Sequence, residues 1–333
     1  MALGSGKLRP LRIALFIAAL LALAVLAGAS YQAFEWRADD QRLRRPGHLV
    51  DAGRFRLNLY CAGRGSPTVI LESGLADSLD SWRRVQPDIA RFARVCSYDR
   101  AGYGYSDPGP MPRTSDRIAS ELHSVLDSAG EKPPYLLVGH SFGGFNVRVF
   151  NGKYSDEVAG LVLVDSTQED QYRLLPAAWG NLGAATRRRA RRQAFWAPLY
   201  IDLGIARLQL RVQGYQAPPV ILQSKYLKAR ASEFQNIEVS AEQARAADHI
   251  GDKPLVVLTA SRTIDAGLKA ALSEEDQKAY AQTWINDLQL RLAHLSTRGR
   301  RMLVADSGHD IPADRPDAIV TAIRELCAPQ SQP

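Results

Sequence analysis

The sequence runs "LLVGHSFGGFNV" from Leu136 to Val147. An apolar run leads into Ser141, Gly139 and Gly143 flank it two residues to either side, and helix-compatible residues follow. G-x-S-x-G alone matches many glycine-rich turns, so the surroundings must decide. If a strand ends here and a helix begins, the serine sits on a turn tight enough to strain its backbone. Its Oγ is then raised above the sheet. A side chain at 139 or 143 would collide across such a turn, which makes glycine a steric requirement at both positions. The helix that follows aims its free N–H groups and positive end at whatever reacts there.

Working outward, short apolar runs alternate with amphipathic segments from Gly47 onward. "HLVDA" and "FRLNLYC" read as an opening hairpin, and "TVILESG" as a buried strand ending in glycine. "RVCSYDRAGYGYSD" starts as a strand and becomes a glycine turn. In "SDRIASELHSVLDSAG", Ile118, Leu122, Val125 and Leu126 recur at helical spacing. Ser115 is the expected N-cap and Gly130 the stop. "PYLLVG", "VAGLVLVDS", "KPLVVLTAS" and "RRMLVADSGHD" read as further strands, and "RPDAIVTAIREL" as a closing helix. This alternation predicts an α/β architecture: a mostly parallel eight-stranded sheet covered by helices on both faces.

The sequence resembles the α/β-hydrolase family. The residues that carry the resemblance are "GHSFGG" at 139–144, "DRAGYGYSD" at 99–107, "LESGLADSLDSW" at 71–82 and "DSGHDIP" at 306–312, in the family's order. It covers roughly Gly47 to Cys327, apart from a divergent middle. Ser73 departs from the pattern, since the family often has histidine before the oxyanion glycine. The resemblance implies a Ser141 nucleophile. His309, the only histidine placed at a late strand end, is the expected general base. His48, His123, His140, His249 and His294 fall on an early strand, on helices or beside the serine. Two acids remain open. Asp165 ends "LVLVD", and Asp265 is the first acid after the next strand; Asp165 is preferred. The backbone N–H groups of Phe142 and Leu75 are expected to form the oxyanion hole. No metal or organic cofactor is implied.

Residues 167–250 interrupt the core, which is expected at 47–166 and 251–328. They read as helical, aromatic and basic, as an inserted cap over the site would. Trp179, Phe195 and Trp196 are candidates to line an acyl pocket, with packing inside the cap as the alternative. Arg187, Arg188, Arg189, Arg191 and Arg192 can meet anionic lipid, although a solvated helix face is the plainer reading.

Lys7, Arg9 and Arg12 precede an unbroken apolar run from Ile13 to Ala29. Segments 1–12, 13–30 and 31–46 read as a basic leader, a transmembrane anchor and a charged stalk. Tyr31, Phe34 and Trp36 resemble an interfacial belt and favour an anchor over a cleaved signal, although Ala27-Gly28-Ala29 would suit cleavage. The net charge of the 333 residues is +7. The basic residues are spread widely and form no nucleic-acid motif, so the charge reads as a surface property with a membrane role. Among three cysteines there is no CxxC pair, which argues against zinc. In the fold this chain resembles, the second and fourth strands are neighbours, which would let Cys61 and Cys96 bond and leave Cys327 free; two buried free thiols are the alternative, and the N-terminal apolar segment favours the bond. A disulfide implies an oxidising compartment. The overall expectation is a membrane-tethered, extracytoplasmic serine hydrolase acting on a small-molecule or lipid-like ester. Other serine-triad activities are the nearest alternative, and a non-catalytic binding protein on the same fold is the alternative of a different class. Residues 329–333 read as a tail.

Overall fold

The computed structural model describes residues 5–42, 45–215, 218–247 and 250–328. Its centre is an eight-stranded sheet in the order β1-β2-β4-β3-β5-β6-β7-β8. The strands are β1 (His48–Asp51), β2 (Arg56–Ala62), β3 (Thr68–Glu72), β4 (Val95–Tyr98), β5 (Tyr135–His140), β6 (Val158–Val164), β7 (Leu255–Ala260) and β8 (Gly299–Val304). β1 and β2 form the expected hairpin and β2 runs antiparallel to β4, while every later pairing is parallel. Every residue of β3, β5 and β7 is buried, as strands covered on both faces must be. One apolar cluster, with Leu137, Phe145 and Leu163, fills one side of the sheet. A second, with Val138, Val162 and Ile319, fills the other. Each fully buried side chain of this size contributes ~1.5–3 kcal/mol.

Helix α1 spans Ser5–Arg42, α2 Gln86–Ile89, α3 Ser115–Ser128 and α4 Gly143–Lys153. Between β6 and β7 the described residues form the α-helices α5 (Gln171–Leu174), α6 (Ala177–Tyr200), α7 (Ile205–Val212), α8 (Ser224–Gln235) and α9 (Ile237–Ala246). After β7 follow α10 (Ala266–Ala271), α11 (Glu274–Thr283), a π-helical turn (Trp284–Leu288) and α12 (Gln289–Ala293). α13 (Ile311–Asp314) and α14 (Pro316–Cys327) follow β8. The N-cap of α3 is Thr114, one residue before the expected Ser115. The Ser115 hydroxyl instead donates to Asn146 Oδ1 at 2.7 Å and ties α3 to α4.

The expected stalk is largely helical, because α1 continues through it to Arg42. Its last turns pack on the segment between β6 and β7, with Asp39 paired to Arg207 at 2.6 Å and Glu35 to Arg211 at 3.2 Å. By length and composition alone, Pro10–Gln41 is long and apolar enough to cross a membrane, and its most apolar window is unburied.

Cys61 and Cys96 lie opposite each other in the β2–β4 register and are disulfide-bonded, and Cys327 is free. Alkylation without reductant is therefore expected to modify one cysteine, and three after reduction. Intact mass reads the difference directly.

Candidate active site

Ser141 follows the last residue of β5 and α4 starts two residues later. Its φ is +52°, a conformation that costs a non-glycine residue ~1–3 kcal/mol and must be held by its surroundings. The glycines explain how it is held. A Cβ on Gly139 would lie 2.7 Å from the Gly143 carbonyl oxygen. One on Gly143 would lie 2.5 Å from the Glu72 carbonyl oxygen. The start of α4 is thus wedged between β5 and the end of β3.

Three side chains from three strand ends meet here. The Ser141 hydroxyl is 2.9 Å from His309 Nε2, and His309 Nδ1 is 2.7 Å from Asp165 Oδ2. A carboxylate only accepts, so Nδ1 carries the proton and Nε2 offers its lone pair to the serine. Asp165 directly follows β6 and is buried, with φ +38°. Its Oδ1 accepts from the Ala260 amide and the Trp284 indole, both at 3.0 Å. Burial pulls the His309 pKa down, but the hydrogen bond and charge of Asp165 outweigh it and hold it above the usual imidazole value. The imidazole is nonetheless open to solvent, with its side chain 46% exposed.

Asp265 is placed elsewhere. It caps α10 by accepting from the Leu268 amide at 2.7 Å. Of the other histidines, His249 lies outside the described residues. His140 was expected only as a neighbour of the serine, yet it is buried and donates from Nε2 to the His309 carbonyl at 2.9 Å. Burial, with repulsion from His309 beside it, lowers its pKa to about 4, so it stays neutral while fixing the loop that carries His309.

The loop after β3 lies directly on Ser141, since a Cβ on Gly74 would sit 3.3 Å from Ser141 Cβ. Among the described residues, neither the Leu75 nor the Phe142 amide donates a hydrogen bond within the protein. Arg100 organises this loop. It is 2% exposed, and its two terminal nitrogens donate to the Ser73 and Gly74 carbonyls, each at 2.8 Å. In a trans peptide the C=O and the following N–H point in opposite directions. Arg100 therefore turns the Leu75 amide away from itself. Glu72 and Glu233 hold the guanidinium, each at 2.9 Å, and Glu233 comes from α8. Ser73, at the position where the resemblance leads one to expect histidine, donates to the Ser78 carbonyl at 3.0 Å and braces the same loop. Arg100→Lys keeps the buried charge but cannot reach both carbonyls. It is expected to lower kcat about 10²-fold, comparable to losing an oxyanion donor, with KM unchanged. A thermal melt on the same sample separates this effect from unfolding.

The aromatic candidates divide. Trp179 packs in a partly buried cluster, 5.1 Å from Tyr172 and 6.4 Å from Tyr280 between ring centroids. Tyr280 stacks on Trp284, which meets His309 edge-on at 6.4 Å. Phe195 and Trp196, the other two expected pocket residues, are 73% and 52% exposed near the end of α6. Periodicity cannot tell an inward aromatic from an outward one on a helix that is apolar on several sides. Trp284 was missed, because a tryptophan in "QTWINDLQL" reads as ordinary core. The indole donor of a buried tryptophan, which needs an acceptor, was the only clue.

A sheet with helices on both faces and a serine–histidine–aspartate chain across its carboxyl edge define a class of fold and site. Residues 67–201 match the α/β hydrolase fold family. The chain has the α/β-hydrolase fold. It is 28% identical over 158 residues to the uncharacterized protein YbdG of Bacillus subtilis (strain 168), covering 47% of this chain and 49% of that protein. It thus spans about half the length of that relative. It is 26% identical over 317 residues to an AB hydrolase superfamily protein of Gibberella zeae, covering 87% of this chain and 97% of the other. A thermophilic esterase from Thermogutta terrifontis superposes with a TM-score of 0.57 at 21% identity, covering 81% of this chain and 92% of that one. At that identity the likeness is one of fold.

Proposed function

We propose that this hydrolase-fold protein is a membrane-anchored serine hydrolase that cleaves carboxylic esters. The observation that carries the reading is the hydrogen-bonded chain Ser141–His309–Asp165 beside two unbonded amides, those of Leu75 and Phe142. In this reading His309 takes the serine proton as Oγ attacks the ester carbonyl. Asp165 stabilises the imidazolium that forms, and the two amides receive the oxyanion. His309 then gives the proton to the departing alcohol. Water, activated by the same imidazole, hydrolyses the acyl-enzyme. No metal or organic cofactor is needed for any of these steps.

Serine at 141 also disfavours epoxide hydrolysis and haloalkane dehalogenation, which on this fold use an aspartate nucleophile. Thioester, amide or lactone hydrolysis, acyl transfer and cofactor-free perhydrolysis share the same triad and are the nearest alternatives. The Cys61–Cys96 bond supports an oxidising compartment, and with α1 as the anchor the hydrolase part stands outside the cytoplasm. A panel of esters of increasing acyl length, with matched thioesters and amides, tests the assignment on the full chain in nanodiscs. Esters are expected to turn over fastest. Turnover of thioesters or amides alone would move the assignment to one of the alternatives.

A further inference from the structure

Most of the exposed large apolar side chains outside α1 fall in one stretch, from Phe195 to Ile221. Leu199 and Tyr200 end α6, and Ile205, Leu208 and Val212 recur along α7. On α7 the opposite face is the packed one, with Ala206 buried and Leu210 against the same cluster. A soluble helix pair would expose polar groups here. The arginines of α6, Arg188, Arg189, Arg191 and Arg192, are exposed two to three turns before this patch.

The position of α1 says what the patch faces. The apolar run Ile13–Ala29 is about 25 Å long as a helix, close to the thickness of a bilayer's hydrocarbon core. Its end is where the corner between α6 and α7 docks. A Cβ on Gly28 would lie 2.7 Å from the Leu203 carbonyl oxygen, and one on Gly204 would lie 2.6 Å from the Tyr31 ring. The next turns of α1 fix this level. Gln32 donates to the Leu222 carbonyl at 2.9 Å, and the Arg207–Asp39 pair is nearly buried. The corner therefore stands at the height where α1 would leave the hydrocarbon. A groove of about 1000 Å³ runs from Asp77 and Asp310, beside the triad, to Pro46, Val220 and Ile221, next to the Leu222 contact with α1.

The geometry points to a bilayer-docking face. The end of α6 and the outer face of α7 lie in the headgroup–acyl boundary of an anionic membrane, beside α1, with the α6 arginines on lipid phosphates. This rests on the reading of α1 as the membrane anchor. It extends that reading by giving the groove a source of substrate, esters dissolved in the bilayer beside the anchor. Amphipathic helices with apolar and arginine faces bind such boundaries through both terms.

The test uses the full chain in phosphatidylglycerol nanodiscs on a Cys327→Ser background. An environment-sensitive dye is attached at Leu20→Cys, Leu199→Cys, Leu208→Cys or Lys132→Cys, and doxyl-labelled lipid is the quencher. Lys132 precedes β5 and so lies at the opposite end of that strand from Ser141. Quenching at Leu20, Leu199 and Leu208 is expected to exceed that at Lys132 several-fold. Strong quenching at Leu20, with Leu199 and Leu208 no different from Lys132, would overturn the docking face and leave the anchor intact. No quenching at Leu20 would overturn the anchor, and the docking face with it.

Discussion

Ser141→Ala is expected to lower ester turnover about 10⁶-fold, the scale of losing a triad nucleophile. The substitution removes one oxygen. The Cβ stays, so the strain of a non-glycine residue at φ +52° is unchanged, and the only side-chain hydrogen bond described for Ser141 is the one to His309. The melting temperature should therefore hold while activity disappears. The amides proposed to receive the oxyanion, those of Leu75 and Phe142, remain in place, so activity of roughly 10³-fold over water should survive. Full turnover by a clean, folded Ser141→Ala protein would remove the nucleophile from the account.

Asp165→Asn is expected to cost about 10⁴-fold. Three donors converge on the carboxylate: His309 Nδ1, the Ala260 amide and the Trp284 indole. An asparagine amide has one acceptor oxygen, so its NH₂ must face a donor. The relief open to the site is for His309 to move its proton to Nε2, which leaves no lone pair for Ser141. The pH profile carries a second signature. The base works when neutral, so kcat/KM rises with pH through the pKa of His309. Burial lowers that pKa, and the bond and charge of Asp165 raise it by more. Without the charge the acidic limb should move to lower pH, on top of the loss in rate. Asp265→Asn, at the cap of α10, should leave both the rate and the stability near those of the parent, since asparagine caps a helix about as well as aspartate. A silent Asp165→Asn beside an inactive Asp265→Asn would reverse the assignment.

The nucleophile turn was legible because its steric demands are written in residue types. Glycines at 139 and 143 have no substitute where a Cβ meets a carbonyl at under 3 Å. The sheet was legible for the same kind of reason, since doubly buried strands cannot avoid continuous apolar runs. Asp165 was only preferred to Asp265, because both follow apolar strands and both are ordinary capping residues. What separates them is the path of the loop after β8, which delivers His309 to β6, and no short stretch of sequence encodes that. Arg100 was legible only as part of the "DRAGYGYSD" turn. Its two carbonyl partners come from "ESG" and its partner Glu233 from a helix 133 residues away. The α1 contacts were hidden because Gln32, Glu35 and Asp39 read as a solvated stalk. Their partners Arg207 and Arg211 lie in a helix whose exposed face is apolar.

The central claim is that Ser141 is the group acylated during turnover. A fluorophosphonate reacts only with a serine whose proton is taken by a neighbouring base, and it leaves a stable adduct on Oγ. The direct measurement is peptide mass mapping of the full chain in nanodiscs after labelling, with ester hydrolysis followed on the same sample. One adduct per chain is expected, on the peptide carrying Ser141, with activity falling in step with its occupancy. Continued ester hydrolysis with Ser141 fully modified, or complete inhibition with the adduct on another residue, would contradict the claim.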